Sequence, residues 1–461
     1  MKFNKCLIIV SLLIFCIGLS AVSAVDSSDI SKSVDTSQAS VNEIVTLASG
    51  TTHYSSEIAK NVANAKGTYN INYDYKIDTT LNIVNPNVII EGNHHTIYGE
   101  GKQAFRINAN NVTIQNLNFV NCKAFLGGAI YFDFVKGNVY GCSFTDCSAE
   151  NAGGAILSEG DGLLSVVDCT FTNCKGTNKL DYYPSGGAIR CGSGSVTGCT
   201  FKDCTASGGG AIYMISGSVE NCSFSGGSAG TNPTYGGGSA IFSWTEATII
   251  GCTFNNCKSS GYGIVRARYG TVNYNIFEGN SGNAIYFVSG DSSNNANFNF
   301  FGFQRNVSSF PSGLVSGCTV NNWVVLKLTC GGNSYKLLFT TNTGNTLNHS
   351  LPDYAVRLID NNNMNKDVIV KNNKWSDKIP EFDKDYVCAY SKVTGKLLDF
   401  IGSKPAVIPE EDYSNATGND SDVNKTKVNT SNNQSVSMEN TGIPFIALLI
   451  ALIGLPFIRR K

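Results

Sequence analysis

The chain has 461 residues, 34 basic against 35 acidic side chains and a net charge of −1. With no basic stripe it lacks the electrostatic footprint of a nucleic-acid binder. Glycine at 48 positions and a 42% hydrophobic content suit an exported β solenoid.

The elements follow in chain order. Residues 1–24 read as a secretory signal: Lys2 and Lys5 are the basic region, Leu7–Leu19 the apolar region, and Val22-Ser23-Ala24 the small-residue cleavage site. Residues 25–80 form a lead-in that caps a repeat stack, which needs a closed end. The repeats occupy 81–317.

Seven variants of Gly-Gly-Ala-Ile end at Ile130, Ile156, Ile189, Ile212, Ile241, Ile264 and Ile285. Interleaved with them runs a Phe series at 119, 144, 171, 201, 224, 254, 277 and 300. A recurrence every 23 to 30 residues means one structural unit stacked on copies of itself. The stretches are short and rich in Val, Ile, Phe, Thr and Cys, without helical periodicity. A unit of 23 residues holds one coil of a parallel β-helix, in which like residues stack about 4.8 Å apart. The Phe ladder is expected inward and the Gly-Gly pair at a corner.

These residues resemble the polymorphic outer-membrane-protein repeat, marked by Gly-Gly-Ala-Ile and Phe-x-x-Asn. The first mark stands complete at Gly127–Ile130, Gly153–Ile156, Gly186–Ile189 and Gly209–Ile212; the second is complete only at Phe277-Glu278-Gly279-Asn280. The resemblance covers roughly residues 80–305, and the layout is similar to the adhesin-like surface proteins of methane-producing archaea. It implies a right-handed surface β-helix with an adhesive role and supplies no catalytic residues.

Ten cysteines fall into two columns, Cys142, Cys169, Cys199, Cys222, Cys252 and Cys122, Cys147, Cys174, Cys204, Cys257. The five-residue offset within each Cys-x4-Cys puts its two members on opposite faces of an extended strand, which disfavours a bridge or metal site within the motif unless a corner intervenes. Between coils the spacing permits disulfides. The reading favours reduced, buried thiols, with no metal and no cofactor.

Residues 318–405 break the repeat into short alternating strands. They suit a small, immunoglobulin-like β-sandwich that Cys330 and Cys388 could bridge. Residues 406–440 are too polar to fold and read as a stalk, with glycosylation sequons at Asn415, Asn419, Asn424, Asn429 and Asn433. In 441–461, Ile443–Ile458 carries no charge and precedes Arg459-Arg460-Lys461. This is expected to be a transmembrane anchor with a basic cytoplasmic tail, or a sorting signal cut off after export. The fold expected is thus all-β: a right-handed parallel β-helix, a small sandwich, a stalk and a C-terminal transmembrane helix.

Two functions compete. The first is a non-catalytic adhesin-like protein at the cell surface, held in its own membrane and binding glycans or proteins of other cells. Its candidate contacts are an outward aromatic series (Tyr131, Tyr213, Phe242, Tyr286 and Trp244) and two loops where the coils lengthen. One loop carries Asp181, Tyr182 and Tyr183, the other Asn232 and Tyr235. The second is an extracellular polysaccharide lyase or hydrolase. For it the best catalytic constellation is Asp133, Glu159 and Arg190, expected on one outward face in neighbouring coils.

Overall fold

A computed structural model describes residues 52–402, apart from 178–184, 233–235, 260 and 384. The segments read as a signal, as a stalk with five sequons and as a C-terminal anchor lie outside the described residues. Among the described residues no helix is long and apolar enough to cross a membrane.

The described residues from Tyr54 to Gly402 belong to one compact unit. It opens with a helix, Ser56–Ala63, whose Ile58 and Val62 are buried against the core and close the end of the stack. Parallel pairing starts at Thr68–Asn70 with Ile89–Glu91, within the stretch read as a lead-in. From there the chain winds through about nine turns with three parallel faces.

The first face carries the Phe ladder. Phe119, Phe144, Phe171, Phe201, Phe224, Phe254 and Phe277 pair in exact register. Their rings stack nearly parallel at 4.6 to 4.9 Å. All point inward and are at most 4% exposed. Each strand is three residues long, so the residues flanking the Phe point outward and are mostly Ser, Thr, Asn or Lys.

The second face is the long sheet, entered at the repeat Ile. Ile130, Ile156, Ile189, Ile212 and Ile241 stack in register. In the Gly-Gly pair the first glycine takes a positive φ at Gly127 and Gly153, 57° and 63°, while at Gly186 and Gly209 it leaves room for the carbonyl of the repeat Ile. The second lets neighbouring coils touch: a Cβ on Gly154 would strike the Gly187 carbonyl.

Two positions slip by one residue from the sequence count. Ile241 pairs with Val265 rather than Ile264. Phe277 stacks on Phe301, centroids 5.5 Å apart, rather than on Phe300. Phe300 faces outward beside Ile276 into a second core, where its ring meets Phe339 and Tyr354, each at 5.1 Å. The reason is the C-terminal domain, which covers the outer side of the last coils. Outward positions that are Ser or Thr elsewhere are apolar there.

That domain consists of a three-stranded and a four-stranded antiparallel sheet sharing the second core. Cys330 lies in the first sheet and Cys388 in the second. Both are free thiols, and Cys330 donates to the Gly332 carbonyl at 3.0 Å, so the bridge considered between them is not formed.

The two cysteine columns lie on the same, inner side rather than on opposite faces. A left-handed residue precedes each cysteine, as at Gly141, Asp146, Asp168 and Asn173, and turns the chain at both ends of the Phe strand. The five-residue offset therefore spans a corner, and both sulfurs point inward at 0–2% exposure. The first column is a ladder of amides donating to sulfur. The amides of Cys142, Cys169, Cys199 and Cys222 each donate to the sulfur one coil on, at 3.4 Å. Asparagine then takes over: the Cys252 amide donates to Asn275 Oδ1 at 2.8 Å, and the Asn275 amide to Asn299 Oδ1 at 2.9 Å. The second column ends the same way, Cys257 donating to Asn280 Oδ1 at 2.8 Å. Thiols here do the work of an asparagine ladder, satisfying corner amides that burial would leave unpaired.

Candidate functional site

The long sheet bends three to four residues past the repeat Ile, and the chain's exposed chemistry gathers at this bend. The register shifts there between Ser158 and Leu163 and again between Met214 and Gly217, so side chains escape the strict in-out alternation. Continued by one residue, the register puts Asp133, Glu159, Gly192, Ile215, Trp244, Arg268 and Val288 in one column at the bend, with Phe134 and Leu163 beside it, one and four residues further along their coils. Five of these are large apolar side chains in the open: Phe134 is 69% exposed, Leu163 56%, Ile215 45%, Trp244 38% and Val288 50%. Over six coil steps this ridge runs about 29 Å. Glycine keeps it low: a Cβ on Gly160 would meet the Phe134 ring.

The expected outward aromatic series is mostly covered. Tyr131 is 7% exposed, Tyr213 5% and Phe242 2%, with Tyr286 half-buried. They lie between the long sheet and the segments leading into the next glycine corner. Tyr131 packs with Leu126, Ala152 and Leu157 in a small satellite core. Tyr213 meets Phe242 edge-on at 5.4 Å, and Arg190 lies 5.6 Å over Tyr213. Arg266 is buried between Phe242, Tyr262 and Tyr286, at 4.8, 4.9 and 5.9 Å, and donates to the Gly236 carbonyl. Apolar burial outweighed the amphipathic option for these rings. Only Trp244 of the series remains exposed. Reading three or four places beyond each repeat Ile, instead of one, finds Phe134, Ile215 and Val288, whereas Leu163 lies beyond the register shift that follows Ser158.

Of the loop candidates, Asp181, Tyr182, Tyr183 and Tyr235 lie outside the described residues. Asn232 is exposed, its carbonyl accepting from the Gly236 amide at 2.6 Å. Arg266 thus grips the base of that loop.

Asp133 and Glu159 do come together, at the ridge's N-terminal end. The Tyr131 hydroxyl lies 2.5 Å from Glu159 Oε2 and 3.1 Å from Asp133 Oδ1. Arg190 sits over Tyr213. The cation facing Asp133 is Arg106, which the spacing argument missed because it precedes the first full glycine motif. Its Nη2 is 2.7 Å from Asp133 Oδ2, and Asn108 donates to the same oxygen at 2.9 Å. The bond from Arg106 holds the Asp133 carboxyl below the usual carboxylate range. Burial and the Glu159 carboxylate raise the Tyr131 hydroxyl well above its ordinary value. Chemically this is a carboxylate clamped by a guanidinium and an amide, with a tyrosine kept protonated.

A second, polar cleft opens between Gly290–Asn297 and Gly317–Asn321. Its polar groups are spent on one another. Asp291 accepts from Ser293, Asn294 donates to the Ser289 and Gly317 carbonyls, and Asn297 accepts from the Asn321 and Asn322 amides. Among the described residues no three His, Cys, Asp or Glu side chains are grouped to hold a metal ion.

Comparison with known proteins agrees with the winding. The family model for a right-handed beta helix region matches residues 154–333. Neither the curated proteins nor the solved structures yield a match to the chain.

Proposed function

We propose that this chain is a non-catalytic, adhesin-like protein of the cell surface. In this reading it is exported by its N-terminal signal, anchored by residues 441–461, and raised on a glycosylated stalk. The solenoid is a rigid arm that attaches to surface glycans or proteins of other cells. The observation that carries the reading is the apolar ridge. A chain seldom leaves Phe134, Leu163, Ile215, Trp244 and Val288 exposed along one bend of a solenoid unless that surface serves a contact. Parallel coils suit such a role because each is held on both sides, so a contact surface built on them stays preorganised. Immobilised full-length protein should hold cells, and Leu163→Ser, Ile215→Ser and Trp244→Ser together should abolish that hold while the fold persists. Undiminished attachment would sink the assignment of the ridge.

A second reading, a polysaccharide lyase or hydrolase, is favoured by one observation, the Tyr131 hydroxyl set between Glu159 and Asp133. Incubation with acidic and neutral polysaccharides decides it. New reducing ends or unsaturated products, lost in Glu159→Gln, would establish the enzyme.

A further inference from the structure

The charge of the chain is balanced overall, yet one face of the C-terminal domain is not. The three-stranded sheet comprises Val324–Gly331, Ser334–Thr341 and Lys374–Lys378. Leu326, Leu328, Tyr335, Leu337 and Phe339 point into the shared core. By alternation Lys327, Thr329, Ser334, Lys336, Leu338, Lys374, Ser376 and Lys378 point away. None of these outward positions is acidic.

The register sets the lysines in rows. Lys327 lies opposite Leu338, and Leu338 opposite Lys374. In the next row Lys336 stands between Thr329 and Ser376, and in the third Lys378 faces Ser334. Strands about 4.8 Å apart put Lys327 and Lys374 roughly 10 Å from each other. Among the described residues none of the four lysines has an ion pair, whereas Lys366 and Lys371 beside them do, with Asp377 and Asp353. Of the buried carboxylates near this sheet, Asp399 feels the charge of Lys327 but is already engaged by Arg305 at 3.3 Å and by the Leu328 amide at 2.7 Å, and Asp360 accepts from the Asn362, Met364 and Asp383 amides. Four like charges on one small flat sheet repel one another and destabilise it unless something offsets them.

We infer that this lysine face binds a linear polyanionic glycan, one with a carboxylate on successive sugars. Charge complementarity gives the sign of the partner, and the interleaved groups give its class. Thr329, Ser334 and Ser376 offer hydroxyls between the cations, and Leu338 offers a small apolar spot for the face of a sugar ring. A lipid headgroup layer needs only the charge and gains from apolar side chains that insert; Leu338, 36% exposed, is the one large apolar side chain the face offers. The site is a second contact for the surface-binding reading, on which its biological role rests, and it is separate in the fold from the ridge.

The test uses the full chain held by its C-terminal segment in nanodiscs of neutral lipid, passed over immobilised polygalacturonate, over neutral galactan, and mixed with vesicles containing anionic phospholipid. The expected result is retention on polygalacturonate alone and release as salt shortens the screening length to about 4–5 Å. Replacing Lys327, Lys336, Lys374 and Lys378 by Gln together should weaken retention about tenfold or more. Gln at Lys102, Lys175, Lys202 and Lys258 on the solenoid should leave it unchanged. Ridge variants that lose cell attachment should still be retained, so failure of the ridge reading and failure of this one remain distinguishable. Equal retention of the two lysine sets, equal retention on neutral galactan, or stronger capture by vesicles than by polygalacturonate would each overturn the proposal.

Discussion

Phe201→Ala probes the solenoid at its most ordered point. Phe201 is 1% exposed and is stacked at 4.8 Å on both Phe171 and Phe224. Truncation removes a buried ring and leaves a cavity that the flanking coils cannot close, because each is fixed by its own ladder of hydrogen bonds. Large-to-small changes of this kind cost about 3–5 kcal/mol, and two lost ring pairs place it in the upper part of that range. Thr200→Ala, one residue away on the outward side of the same strand, should cost less than about 0.5 kcal/mol. With a urea slope of about 3 kcal/mol/M, the Phe201 variant should unfold roughly 1.3–1.7 M earlier by circular dichroism. If the two variants unfold together, Phe201 does not face inward and the spine is wrongly assigned.

Two further outcomes follow from the same structure. Cys199→Ala removes the acceptor of the Cys169 amide and should destabilise by about 1–3 kcal/mol, whereas Cys199→Asn, which extends the ladder seen at Asn275 and Asn299, should recover most of the loss in thermal melting. Glu278 is buried beneath the C-terminal domain, where its two oxygens accept from the Tyr354 hydroxyl at 2.9 and 2.8 Å and one also accepts from Thr394 at 3.1 Å. Burial raises its carboxyl above the ordinary 4.5. A raised folded-state pKa contributes stability that is fully present below the unfolded value and is lost as pH rises through the folded one. Melting should therefore fall as pH climbs from about 4.5 toward neutrality, and Glu278→Gln should flatten that slope; an unchanged slope would refute the assignment.

Much of the solenoid was legible because a parallel stack repeats its side chains at fixed offsets. The Phe register from 119 to 277 and the Ile register from 130 to 241 could be read directly. The count failed where neighbours changed the rule. It put Phe300 in the spine, but a covering domain draws that ring outward and Phe301 replaces it. It put Ile264 in the Ile ladder, where Val265 stands. The cysteine offset misled because strand geometry was carried through Asp146 and its equivalents, whose left-handed backbone is a corner. The aromatic series misled for another reason: Tyr131, Tyr213 and Phe242 do leave the coil interior, but segments folded over the sheet bury them. Arg106 was invisible to motif spacing because its coil precedes the first full glycine motif, at Gly127–Ile130, from which the offsets were counted.

The most direct test of the central claim is competition. Full-length chain held in lipid nanodiscs is added to cells attaching to immobilised chain, and attachment is counted against concentration. The wild type should inhibit, Glu159→Gln should inhibit equally, and the Leu163, Ile215 and Trp244 triple-Ser variant should not. Equal inhibition by the triple variant would contradict the account that this solenoid works by presenting its apolar ridge.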